Sequence, residues 1–334
     1  MSEFKVLGQT IEEFMIRWNK VTFQLGGLKE SFADKLARIY INELKTSLAA
    51  YGISLEMFFI NLSRGGSISM LPVRNAISNN MKIKEFYRHN LWGTSIPYTL
   101  PIVLEMSPPL KGKTVLDVGC GFGRLSILCA LKKAARVVAV DLSEPLIQSL
   151  ERTGQSLKLF NLETYIMDAE GLQFQSEQFD IIYCCEVIEH LINPLKTLHL
   201  MQSLLKPGGS LILSTPNGLN VVGFKQRFLK IFHYDWVSPY GTGQPELHMF
   251  TPMSVQMLFA ASNFKIKCLR GAELLDNLAI FYPSNFAEGL VQFLPLLFPF
   301  FQKIKNCMVR LGQTPLLKNF GLEMFIHAIP VKNL

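Results

Sequence analysis

The chain has 334 residues, of which 49% are hydrophobic and 18% charged. That excludes a disordered chain, and the length holds one large domain or two modest ones. The formal net charge is +7, with 12 Lys and Arg against 8 Asp and Glu over residues 1–90, 10 against 12 over 91–216, and 11 against 6 over 217–334. Basic flanks around a slightly acidic middle suit a polyanion or an anionic membrane surface, and they equally serve solubility alone.

The N-terminal stretch MSEFKVLGQTIEEF has no basic region followed by an apolar run, so a cytoplasmic protein is expected. Cys120, Cys129, Cys184, Cys185, Cys268 and Cys307 form no C-x-x-C pair and lie mostly in apolar runs, which predicts reduced, buried thiols.

Residues 1–90 read as a helical extension. Ile11, Phe14, Met15, Trp18 and Val21 recur at helical spacing. A second helix is predicted from about Ser31 to Ala50, with Phe32, Leu36, Ile39, Tyr40 and Leu44 on one face and Gly52 at its end. After SPPLKGK the pattern changes to strands alternating with helices. TVLDVG, RVVAVD, ETYIMD, FDIIYCCE and SLILSTPN read as strands. LSILCALKKA, SEPLIQSLERTG and LINPLKTLHLMQSLLKPGG read as helices, the second with Ser143 as cap and Gly154 as stop. A further helix begins FTPMSVQMLFAASNF, and FKIKCL and EMFIHAIP are expected to close the sheet at its far edge. Near-continuous apolar strands separated by helices mean a mostly parallel sheet covered on both faces, a doubly wound α/β domain over residues 91–334.

Two insertions interrupt it. Residues 217–250, rich in aromatic, Gly and Pro residues, read as a lid over a substrate. Residues 271–322 contain GLVQFLPLLFPFF followed by Lys303, Lys305 and Arg310. That run is too short to span a bilayer. It can lie in a membrane interface, giving peripheral contact through 289–310, or pack on the N-terminal helices.

The stretch VLDVGCGFGR, residues 115–124, carries the first chemistry. Gly119, Gly121 and Gly123 are spaced G-x-G-x-G, not the G-x-G-x-x-G of a dinucleotide site. Asp117 stands just before them and would repel a pyrophosphate. It suits a ligand with a positive charge and no phosphate, such as S-adenosylmethionine, whose sulfonium and nucleoside the glycines let the backbone approach.

VLDVGCGFGR resembles the first motif of class I S-adenosylmethionine-dependent methyltransferases, and the later segments VVAVD, IMDAEGLQF, YCCEVIEHLINP and LLKPGGSLILSTPN follow in the order of that family. HMFTPMSVQMLFAASNFKI is similar to the subgroup containing ubiquinone-biosynthesis O-methyltransferases. The resemblance covers roughly residues 91–270. It implies a Rossmann-like, seven-stranded sheet with cofactor contacts from Asp117, Gly119, Gly121 and Gly123. It further implies Asp141 on the ribose hydroxyls, Asp168 on the adenine amine, and Leu142, Ala169 and Glu186 beside them.

EVIEH, residues 186–190, is expected to begin the helix after the fourth strand, with Glu186 and His190 on one face and Glu189 close by. His248 arrives in the loop that returns over the strand ends. Glu186, Glu189, His190 and His248 form a candidate divalent cation site, taking Mg²⁺, Mn²⁺ or Zn²⁺. Similar E-x-x-E-H…H arrangements in ubiquinone-type and small-RNA 3′-end methyltransferases imply a metal that holds neighbouring hydroxyls. In the alternative, Glu186 lines the cofactor pocket and His190 or His248 acts as a general base without metal. Weaker candidates are Trp92 and Tyr98 as cofactor contacts and the cluster His233, Tyr234, Asp235, Trp236 and Tyr240 in the lid.

The expected activity is methyl transfer to a small, hydrophobic acceptor, at oxygen. One alternative is 2′-O-methylation of an RNA 3′ end. Against it, the Lys and Arg residues are scattered and no RNA-binding module is recognisable. The other is a non-catalytic cofactor-binding or interaction subunit, which gives no reason for keeping the glycines and both acids.

Overall fold

The computed structural model describes residues 5–6, 9–49, 54–55, 99–219, 247–272 and 323–331. Of the two expected insertions, 217–250 and 271–322, residues 220–246 and 273–322 lie outside them, as do Trp92, Tyr98, the His233 to Tyr240 cluster and Cys307.

A short antiparallel ladder pairs Lys5–Val6 with Gln9–Thr10. Helices α1 (Ile11–Leu25) and α2 (Glu30–Ala49) follow, then α3 (Thr99–Met106). Strand β1 (Thr114–Val118) leads to α4 (Arg124–Leu131), β2 (Arg136–Asp141) to α5 (Glu144–Ser156), and β3 (Leu162–Ile166) to a 3₁₀ turn at Ala169–Gly171. Next come β4 (Phe179–Cys185), a 3₁₀ turn at Ile188–His190, α6 (Pro194–Leu204), β5 (Leu205–Pro216), α7 (Pro252–Ala261), β6 (Phe264–Ala272) and β7 (Glu323–Pro330).

The seven strands lie in the order β3-β2-β1-β4-β5-β7-β6. β1 to β5 pair in parallel, and β7 enters antiparallel between β5 and β6. The order reverses between β1 and β4, where a doubly wound sheet opens a ligand crevice at its carboxyl edge.

Side-chain alternation divides the core. Val115, Val137, Ile181, Tyr183, Ile212 and Phe325 face one side, packed under α1 to α5. Leu116, Val138, Ile182, Leu211, Leu213 and Ile326 face the other, packed under α6 and α7. Burial of each such Val, Leu or Ile stabilises by ~1.5–3 kcal/mol. At the amino edge of the sheet, Asp180 accepts from the Thr114 amide at 2.9 Å and from Lys206 Nζ at 2.8 Å. The charges at that edge serve the fold.

Several local expectations need correction. EVIEH is not helical: Glu186 ends the strand with a φ of +55°, a 3₁₀ turn follows, and the helix begins at Pro194, capped by Asn193 Oδ1 on the Lys196 amide at 3.0 Å. Ser143 occupies the N-cap of α5, but its side chain makes no capping bond. Gly154 lies inside α5, where a Cβ would stand 3.3 Å from Leu162, and Lys158 takes the left-handed position beyond the helix end. The KPGG expected to end the helix before the last parallel strand belongs to β5. Cys129 and Cys184 are buried, Cys120 and Cys185 half-buried, but Cys268 is exposed. Among the described residues no helix is long and apolar enough to cross a membrane.

Candidate active site

The chain leaves β1 into the glycine loop. The Gly119 and Cys120 amides donate to the Val140 carbonyl at 2.8 and 3.0 Å, tying the loop to β2. Gly119 has a φ of +68°, and a Cβ there would stand 2.3 Å from Val187 Cγ2. The loop therefore lies directly against the turn that follows β4, and only glycine fits at this contact. Gly121 and Gly123 also have positive φ, and Gly123 forms the N-cap of α4 without a side-chain cap.

Asp117 stands just before the glycines, as expected, but is buried. It is 3% exposed, and its carboxylate accepts from the Ser126 hydroxyl on α4. Burial pushes its pKa up to about 6, with the nearby Asp141 charge adding to the effect and the Ser126 bond opposing it. Such an acid favours a cationic group beside it.

Asp141, the last residue of β2, accepts from the Gly121 amide at 2.9 Å on Oδ2 and from the Ser143 amide at 2.9 Å on Oδ1. Burial raises its pKa, and these backbone donors lower it. Three backbone donors, from Ser143, Gly121 and Leu142, occupy three of its four lone pairs and leave acceptor capacity for a ribose hydroxyl. Asp168 Oδ1 accepts from the Glu170 amide at 2.9 Å and caps the turn that starts at Ala169. Leu142 and Ala169 are half-buried beside these acids. The glycine loop, Asp117, Asp141 and Asp168 thus gather at the carboxyl ends of β1, β2 and β3, an arrangement that fits a cationic nucleoside.

The second constellation comes together differently. Glu186, half-buried, accepts from the Ser214 hydroxyl at 2.6 Å. Burial lifts its pKa to about 7. Glu189 is 2% exposed and accepts from the Thr215 hydroxyl at 3.0 Å. Its other oxygen stands 3.6 Å from His190 Nε2, in ion-pair range. The Glu189 carbonyl accepts from the Leu247 and His248 amides at 2.8 and 3.0 Å, which docks the returning loop on this turn. His248 Nε2 lies 2.9 Å from the Leu191 carbonyl. A carbonyl only accepts, so this nitrogen carries the proton. The ring stacks on Phe250 with centroids 5.7 Å apart.

His248 is therefore brought to the turn, as the sequence suggests. The four candidate metal donors do not converge: among the described residues no group of three His, Cys, Asp or Glu side chains could hold an ion.

Sequence reasoning passed over Ser214 and Thr215, both fully buried. Their signal was a pair of hydroxyls ending an otherwise apolar strand. It also passed over the seam between the extension and the glycine loop. There Arg124 Nε donates to Asn19 Oδ1 at 3.0 Å, its guanidinium lies 5.2 Å over the Tyr40 ring, and Tyr40 meets Phe122 edge-on at 6.0 Å.

The profile of a family described as Methyltransferase domain matches residues 88–269, more than half of the chain. The chain belongs to this family. This methyltransferase is 42% identical over 114 residues to a ubiquinone biosynthesis O-methyltransferase of Coxiella burnetii, a match covering 34% of this chain and 48% of that one. It is 35% identical over 122 residues to the enzyme of the same name from Acinetobacter baylyi, covering 36% and 51%. The chain spans about half the length of these curated relatives. Among solved structures, a chain of the complex between the Haloferax volcanii Trm112 methyltransferase activator and a methyltransferase aligns with a TM-score of 0.50 at 16% identity, covering 70% of this chain and 90% of that one. That likeness concerns the fold. The family match and the seven-stranded Rossmann-like sheet agree, so the chain carries a methyltransferase domain.

Proposed function

We propose that this methyltransferase O-methylates a small hydrophobic acceptor, such as an alkylated phenol or catechol, and that His190 is the base. S-adenosylmethionine, when bound, supplies an electrophilic methyl group on a sulfonium. Asp141 is assigned to its ribose, Asp168 to the adenine side, and Asp117 and Glu186 to its positive charge. His190, beside the buried Glu189 carboxylate, takes the acceptor hydroxyl proton, and the remaining work is alignment. The single observation that carries this reading is the contact of Gly119 with Val187, which sets the glycine loop against the turn bearing Glu186, Glu189 and His190. The similarity to two O-methyltransferases supports oxygen as the target. The apolar run over 286–301 and the cations after it are assigned to recruitment at an anionic membrane surface.

The test is methyl transfer from labelled cofactor to 4-hexylcatechol. His190→Gln is expected to abolish turnover while retaining cofactor affinity, and undiminished turnover overturns the base assignment. Turnover in excess chelator is expected to equal that without it. Loss of turnover in chelator, mimicked by Glu189→Ala, would assign Glu186, Glu189, His190 and His248 to a divalent cation.

A further inference from the structure

Two neighbouring residues of β5 each hold one of two carboxylates. Ser214 donates to Glu186 at 2.6 Å and Thr215 to Glu189 at 3.0 Å. Consecutive residues of a strand point to opposite faces of the sheet. Ser214 is in register with Cys185, which packs against the core under α1 to α5, and Asp117 is in register with Tyr183 of that same core. Thr215 therefore faces the other core, which includes α6, α7 and Phe250 of the loop carrying His248. Regular strand geometry would turn Glu186 away from Ser214, because Cys185 already occupies that face. The left-handed φ of +55° at Glu186 breaks the alternation and lets its carboxylate reach back. Three residues on, Glu189 meets the opposite face.

We infer that Ser214 and Thr215 are positioning residues that divide the two glutamates between the faces of the sheet. Ser214 holds Glu186 on the side of Asp117, against the cofactor. Thr215 holds Glu189 beside His190, on the acceptor side. Both hydroxyls are fully buried, so water cannot replace them easily. The division explains why the four candidate metal donors do not cluster. It rests on the proposed roles of Glu186 and His190, yet its test needs no acceptor.

The full chain is titrated calorimetrically with S-adenosylmethionine, and the His190 ring nitrogens are followed by long-range proton–nitrogen correlation, assigned from the His190→Gln spectrum. Ser214→Ala is expected to weaken cofactor affinity by about ten-fold and to leave the His190 signals in place. Thr215→Val is expected to hold affinity within about two-fold and to move the His190 signals, because the carboxylate that orients the ring is released. Thr215→Ser restores them, a rescue that a merely structural methyl group would not give. Thr215→Ala is the second variant should Val unfold the protein. Both readouts moving together in either variant, or neither moving, overturns the division. Should the crossed pattern appear in a protein that methylates no phenol or catechol, the proposed acceptor falls and the division stands.

Discussion

Asp117 sets function against stability at a single carboxyl. Its pKa of about 6 in the folded chain exceeds the ordinary 3.8 because burial disfavours the charge. Between those values the folded state holds a proton that the unfolded state has released. Stability therefore falls as pH rises through that window, by ~3 kcal/mol in total. Asp117→Asn keeps an acceptor for Ser126 and carries no charge. It is expected to raise the melting temperature of the ligand-free protein near about pH 7 and to give no gain near about pH 4, where the aspartate is itself protonated. The same variant is expected to weaken S-adenosylmethionine binding. Wild-type binding near about pH 6 should release a proton, read as a heat that varies with the buffer's ionisation enthalpy. A binding heat independent of buffer would place the cationic part of the cofactor away from Asp117.

Gly119 makes the other residue-scale claim. A methyl group there meets Val187 at 2.3 Å on a backbone at φ +68°. Left-handed backbone alone costs a residue with a Cβ ~1–2 kcal/mol. Gly119→Ala is expected to destabilise the fold by more than that and to abolish calorimetric cofactor binding. Adding Val187→Ala should recover part of the stability, since it removes the clash and leaves the strain.

At the scale of elements, the end of β2 and the N-terminal pair of helices are the parts to perturb. Asp141 organises the glycine loop through Gly121 and α5 through Ser143. Asp141→Ala is expected to weaken cofactor binding by about ten-fold or more, since hydrogen bonds to a charged group contribute about 1.5–3 kcal/mol. Helices α1 and α2 are joined to the first residue of α4 through Asn19 and Tyr40. Asn19→Ala leaves a buried guanidinium without one of its acceptors, and a loss of ~1–3 kcal/mol in denaturant unfolding is expected. An unchanged midpoint would show that the extension docks without this link. Elements were also where the sequence was most readable. Four of the five parallel strands announced themselves as apolar runs, the edge strand Leu162–Ile166 being half-exposed, and RVVAVD matches β2 residue for residue. EVIEH misled because its i, i+4 spacing suits a helix, whereas the left-handed turn at Glu186 is a tertiary demand that spacing does not encode. Gly154 misled because a glycine can serve packing inside a helix as well as end it.

At the scale of the molecule, the seven-stranded, mostly parallel sheet is the one that the run of motifs predicts. Asp141, Asp168 and the three glycines were visible because each ends a recognisable strand. Ser214, Thr215 and Asn19 were not, because a hydroxyl or amide earns its role only from the carboxylate or guanidinium that folding brings opposite. The proposed chemistry is read most directly from the product. The protein is incubated with methyl-labelled S-adenosylmethionine and a cellular lipid extract beside purified RNA, and the labelled species are identified by mass spectrometry. The expected result is label on the oxygen of an apolar phenolic compound, absent with Asp141→Ala and with His190→Gln. Label in the RNA alone, or on no small molecule at all, would contradict it.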